Sequence, residues 1–178
     1  KCKHRHVVFT IPDELRVYFI KDRSLFNLLF IAARNTLACV FYVANYRKIR
    51  KKKIYIKKTK CPYSYKNDKN KIVFGSVLTL HTFGRDLKWN PHIHCLVCEE
   101  AFDTQKNKMK NFSFISYEKL RKTWMYQVLD LLSKQKLKHF RYLKQKFYDA
   151  LVNGFYVYAK KKEKDNGDNN VDECVNYI

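Results

Sequence analysis

Apolar and polar residues alternate through HRHVVFTI (residues 4–11), the period-two pattern of a half-buried strand. Pro12, Asp13 and Glu14 follow, a combination suited to the first turn of a helix. From Ser24 to about Tyr46, Leu25, Leu28, Leu29, Ala32, Thr36 and Val40 recur at helical spacing and predict a largely buried helix. KIVFGSVLTLHTF (71–83) and HIHCLVCEEAF (92–102) are long strand candidates. Only GRDLKWNP separates them, which predicts an antiparallel hairpin around a functional loop. A short strand is expected at Phe112–Ile115, helices at Tyr117–Ser133 and Lys138–Val152, and a strand at GFYVYAK (154–160). The first of those helices carries Leu120, Trp124, Val128 and Leu131, three or four apart. KKEKDNGDNN (161–170) reads as a flexible linker. VDECVNYI then opens a further helix, with Asn170 as N-cap and Glu173 three residues on. Val171, Cys174, Val175 and Ile178 form its apolar stripe, and Tyr177 falls beside that stripe.

The order β-α-β-β-α-α-β-α shows no internal repeat and no Gly-rich phosphate loop, for the chain has only four glycines. It predicts an α+β, ferredoxin-like fold, a mostly antiparallel central sheet with helices packed on it. One domain is expected over 1–178. Because the sequence begins at Lys1 and stops abruptly at Ile178, it reads as a piece of a longer protein.

Composition adds a constraint on partners. With 178 residues and 46% hydrophobic content the chain can build a core and is no disordered tail. A net charge of +21 repels itself and calls for a polyanion, nucleic acid first and an anionic membrane surface second. A structural RNA binder would share that charge, so charge alone assigns no activity. The most apolar run, LFNLLFIAA, is broken by Asn27 and falls far short of the ~20 residues of a bilayer span. No membrane partner and no secretory signal are therefore expected. Six scattered cysteines suit a reducing compartment. Cys95 and Cys98 form C-x-x-C within a strand, where an odd separation sends the sulfurs to opposite faces and argues against zinc. The basic run RKIRKKKIYIKKTK (47–60) is interrupted by Ile54, Tyr55 and Ile56, and reads either as a solvated face or as a segment following a phosphate backbone.

The stretch HTFGRDLKWNPHIHCLV (81–97) concentrates the chemistry. His92 and His94 stand two apart on a strand, on the same face with Cα atoms ~6.6 Å apart. Two such imidazoles can converge on one divalent ion. Imidazole suits manganese, zinc, nickel or cobalt, and magnesium only where oxygen ligands complete the shell. HRH (4–6) repeats the spacing nearer the N-terminus, and His6 has the position to line a site. Two residues are candidates for a third ligand. His81 shares the face if it pairs with His92 or His94, and Glu173 lies one helical turn before Tyr177.

HVVFTIP, LHTFGRDLKWNPHIHCLV and GFYVYAK together closely resemble the rolling-circle insertion-sequence transposases, the two-tyrosine class of the HUH (His-hydrophobic-His) endonuclease superfamily. The resemblance spans nearly the whole chain. It implies a ferredoxin-like catalytic domain that acts in DNA transposition and DNA recombination, nicking and rejoining single-stranded DNA with a tyrosine nucleophile and a divalent metal, Mg or Mn. It implies a 5′-phosphotyrosine intermediate and a released 3′ hydroxyl. On this resemblance His92 and His94 are the metal pair and Tyr177 is the first tyrosine of a Tyr-x-x-x-Tyr arrangement, with both hydroxyls on one helical face. Cys2 would be the edge of an N-terminal zinc module. Arg85 and Lys88 would hold phosphates and Asn90 would orient a ligand or cap the Pro91 turn. Trp89 would stack on an unpaired base or anchor the loop. The implied partner is single-stranded DNA at transposon ends, in a bacterial cytoplasm near the nucleoid. The alternative is a non-catalytic single-stranded DNA or RNA binder on an RRM-like sheet.

Overall fold

The computed structural model describes residues 3–49, 72–104, 106–112, 116–135 and 137–159, with side chains in the long second helix described as far as Phe41. The expected linker at 161–170, Glu173, Tyr177 and residues 50–60 of the basic run lie outside the described residues.

Among the described residues five strands and four helices follow one another as β1 (His4–Thr10), α1 (Asp13–Lys21), α2 (Phe26–Ile49), β2 (Ile72–Phe83), β3 (Trp89–Asp103), β4 (Lys108–Asn111), α3 (Tyr117–Ser133), α4 (Phe140–Ala150) and β5 (Val157–Ala159). A turn of 3-10 helix, Arg23–Leu25, joins α1 to α2. The sheet runs β2-β3-β1-β5, with β4 added to β3, and every pairing is antiparallel. With β4 set aside, the helices joining β1 to β2 and β3 to β5 make this the split βαβ order of a ferredoxin-like fold. The expected α+β class and its mostly antiparallel sheet are what the chain adopts.

One face of this sheet makes the core. Val7 and Phe9 of β1 and Ile93, Cys95 and Val97 of β3 are buried beneath the helices. Helix α3 buries Leu120, Trp124 and Val128 of the predicted stripe together with Leu129 and Leu132, while Leu131 is only partly buried. Ser116 caps it, its hydroxyl accepting from the Lys119 amide at 3.4 Å. Trp124 is fully buried, its ring 5.0 Å from that of Phe9. Its indole N–H donates to the Thr10 carbonyl at 2.6 Å, tying α3 to the end of β1. Cys95 lies in the core, where burial pushes its thiol up to about 12, while Cys98 pairs with His4 on the other face. The two sulfurs thus part as the odd spacing requires.

Several boundaries differ from expectation. Strand β3 begins at Trp89, not His92, so the hairpin loop is only 84–88. The Trp89 ring packs 6.1 Å from Phe26 and 5.7 Å from Phe83, which draws Trp-Asn-Pro into the strand. The pairing shifts there, from His81 against His92 to Phe83 against Trp89, and Pro91 sits at that irregularity, where a strand tolerates a missing N–H. The short strand is Lys108–Asn111, ahead of the expected Phe112–Ile115. Phe112 is instead a buried core residue, edge-on to Phe41 at 5.1 Å, and 113–115 lie outside the described residues. The stretch Arg23–Phe41 is longer and more apolar than LFNLLFIAA suggests, enough by length and composition to cross a membrane. Leu29, Ala32, Ala33, Thr36, Leu37 and Phe41 are nonetheless buried inside the fold, as in the core helix of a globular domain.

Replacing Trp124 with Ala removes a fully buried indole and its hydrogen bond to Thr10. Urea denaturation of the 178-residue chain is expected to show a loss of about 3–5 kcal/mol. A loss below about 1 kcal/mol would contradict this packing account.

Candidate metal centre

The sheet face opposite the helices carries His6, Val8 and Thr10 of β1, His92, His94 and Leu96 of β3, Val77, Thr79 and His81 of β2, and Tyr158 of β5. This follows from alternation, since each of these residues neighbours a core residue in its own strand. The register then sets the neighbours across strands. His92 has Thr10 on one side and His81 on the other, and His94 lies between Val8 and Thr79. The question left open by the sequence is answered: His81 pairs with His92 and shares its face.

Side chains of His81, His92 and His94 each offer a nitrogen within 4.8 Å of the others. The Nε2 atoms of His92 and His94 are 3.0 Å apart. Two ligands ~2.1 Å from one cation and at right angles to each other are separated by ~3.0 Å, so the spacing fits adjacent corners of a coordination shell. The ring centroids of His81 and His94 lie 4.2 Å apart. His92 Nδ1 lies 2.5 Å from the Asn90 carbonyl oxygen. A carbonyl only accepts, so Nδ1 carries the proton and Nε2 presents its lone pair to the cluster. Asn90 therefore orients a histidine through its backbone. Its side-chain Oδ1 is buried and without a hydrogen-bond partner among the described residues.

Electrostatics favour the neutral imidazoles that metal binding needs. His94, only 8% exposed, is held down to about 4, mainly by burial, then by His81, His92 and His6. Burial and His81 also lower His6. His92 is lowered by burial, and further by His81 and Arg16, against the opposing pull of the Asn90 carbonyl. Near neutral pH, therefore, His94 is a neutral imidazole, with one of its two ring nitrogens free of a proton.

The remaining candidates take distinct places. Arg85 and Lys88 are exposed in the 84–88 loop beside the cluster, Lys88 with its ammonium 3.4 Å from Asp86. Trp89 is partly buried. Its indole N–H donates to the Arg16 carbonyl at 3.4 Å, and the Arg16 guanidinium donates back to the Trp89 carbonyl at 3.4 Å. The ring thus serves as an anchor between hairpin and α1. Tyr177 and Glu173 lie outside the described residues. Arg16, which reaches the site from α1, was not among the sequence candidates, because only the fold brings α1 to Trp89. Phe83 was missed as well: 56% exposed at the mouth of the hairpin, it looks in sequence like another core position of β2.

The lowered histidine gives a pH dependence of stability with a definite sign. The unfolded chain protonates at His94 near 6.5 and the folded chain near 4, so between these values the unfolded state binds more protons. Stability of the metal-free chain is therefore full above about 6.5 and declines as pH falls toward 4. Urea midpoints at pH 7 and pH 4.5 are expected to drop, and the drop should shrink in His94→Asn. An equal drop in both proteins would contradict the assignment.

Comparison with known proteins bears on the same residues. The Y2_Tnp family, described as "Putative transposase", matches residues 75–178, which include His81, His92 and His94. The "Transposase for insertion sequence element IS801" of Pseudomonas savastanoi pv. phaseolicola is 35% identical over 136 residues, 76% of this chain and 26% of that relative. The matched region thus spans about a quarter of the relative's length. No solved structure matches. A family match over more than half of the sequence, one that takes in the histidine hairpin, places this chain in the Y2_Tnp transposase family.

Proposed function

We propose that this chain is the catalytic domain of a transposase that nicks and rejoins single-stranded DNA at transposon ends, using a divalent metal, Mn or Mg, and a tyrosine nucleophile. The observation that carries this reading is the convergence of His81, His92 and His94 on one sheet face. Similarity to a transposase of a bacterial insertion sequence supports the same reading, and a cytoplasmic setting near the nucleoid is part of this proposal. The net charge of +21 suits a polyanionic substrate.

In this scheme His81, His92 and His94 hold the ion, with His81 rather than Glu173 as third ligand because it already stands in the cluster. When bound, the ion supplies Lewis-acid polarisation of the scissile phosphate. Three imidazoles suit manganese better than magnesium, which requires added oxygen ligands from substrate or water. Tyr177 is the proposed nucleophile. Its phenolate oxygen bonds to phosphorus, the bond from phosphorus to the 3′ oxygen breaks, and that oxygen takes up a proton. The 5′-phosphotyrosine so formed keeps the energy of the phosphodiester, and reversal rejoins a strand. Arg85 and Lys88 hold flanking phosphates from the hairpin loop. Trp89 keeps that loop in place against α1.

A second reading rests on a separate observation. Tyr158 is 43% exposed on the histidine face, in the same cross-strand row as Val8 and His94, an arrangement in which a sheet can stack bases without cutting. Incubation with hairpin-ended and linear single strands in Mn²⁺ or Mg²⁺, followed by a denaturing gel, separates the two. A covalent adduct is expected, lost in Tyr177→Phe and reduced at least ~100-fold in His92→Ala and His94→Ala. Full adduct in both histidine variants removes the metal role. Salt-sensitive binding without any adduct supports the non-catalytic reading.

A further inference from the structure

His94 touches an imidazole at each of its two nitrogens. Its Nε2 faces His92 Nε2 at 3.0 Å, and its Nδ1 faces His6 Nε2 at 3.0 Å. The His6 and His94 rings are nearly parallel, 24° apart with centroids at 5.1 Å. His6 meets the edge of His94 that points away from His92, so it stands behind the ligand set rather than within it.

A neutral imidazole has one proton for two nitrogens, and the neighbours decide which nitrogen carries it. For His92 the Asn90 carbonyl settles the matter, leaving Nε2 as a lone pair. Among the described residues His94 has no such one-way partner, since His6 Nε2 is able either to donate or to accept. If His6 donates, His94 carries its proton on Nε2, where the proton points at His92 and blocks a cation. If His6 accepts, His94 carries its proton on Nδ1 and Nε2 is open. Only the second arrangement binds metal, and it requires His6 itself to be protonated on Nδ1.

We infer that His6 is a positioning residue for the metal centre, accepting the Nδ1 proton of His94 and thereby holding His94 Nε2 in its ligating form. The inference rests on the proposed metal role of His92 and His94. It assigns a task to a strand-β1 histidine far in sequence from the HIH hairpin. It also explains why His94, the more buried of the pair, needs no carbonyl of its own. Metal uptake is then accompanied by a paired shift: one proton moves from Nε2 to Nδ1 on His94, and one from Nε2 to Nδ1 on His6, with no net proton released by either ring.

The test uses the 178-residue chain. Mn²⁺ titration by calorimetry is expected to give affinity 10–100-fold weaker in His6→Phe, which keeps a flat ring and has no acceptor. His6→Gln places an amide oxygen near the former Nε2 and is expected to stay within about threefold of wild type. Nitrogen-15 spectra of the Zn²⁺-loaded wild type are expected to show both His94 and His6 protonated on Nδ1. Wild-type affinity in His6→Phe, or a proton on His6 Nε2 in the loaded protein, overturns the inference while leaving the metal centre standing. Wild type that binds neither ion overturns the metal reading itself, and this inference with it. The tautomer measurement needs no substitution, so it decides the matter even if His6→Phe folds poorly.

Discussion

Strand register is the constraint on which this molecule depends. Side chains alternate with a period of two, so a slip of one residue between β1 and β3 would turn every imidazole of one strand away from its partners. The slip is prevented by the opposite face. Val7, Phe9, Ile93, Cys95 and Val97 are buried under the helices, and moving either strand by one residue would exchange them for His6, Val8, His92, His94 and Leu96. Apolar burial on one side of the sheet therefore holds the polar cluster on the other. The hydrogen bond from Trp124 to the Thr10 carbonyl pins the end of β1 beside His92.

A chain with a net charge of +21 is a poor host for imidazolium, and the cluster is built accordingly. Burial acts first and the neighbouring histidines second, so that His6, His92 and His94 are all depressed and the ring lone pairs stay available. The net positive charge also attracts a polyanion.

Much of this was legible in the residues. The α3 stripe, the long strands β2 and β3 and the ferredoxin-like order all follow from apolar periodicity, and the period of two alone puts His92 and His94 on one face. What periodicity cannot supply is register across strands. Whether His81 joined the pair, and that His6 rather than His4 reaches it, depend on which residue lies opposite which. Trp89 and Asn90 were misplaced into a turn for a related reason. Proline after Trp-Asn reads as a break, yet the Phe26 and Phe83 rings and a pairing irregularity at Pro91 accommodate it within β3. The contact of Asn90 with His92 was not visible, because it runs through a backbone carbonyl that every residue type possesses.

The most direct measurement of the central claim is anomalous diffraction from crystals of this chain soaked in Mn²⁺. The account predicts one strong peak between β2 and β3, at coordination distance of ~2.0–2.3 Å from Nε2 of both His92 and His94 and with His81 in the shell. Rings stacked on each other with no peak among them, or a peak elsewhere on the surface, would contradict it.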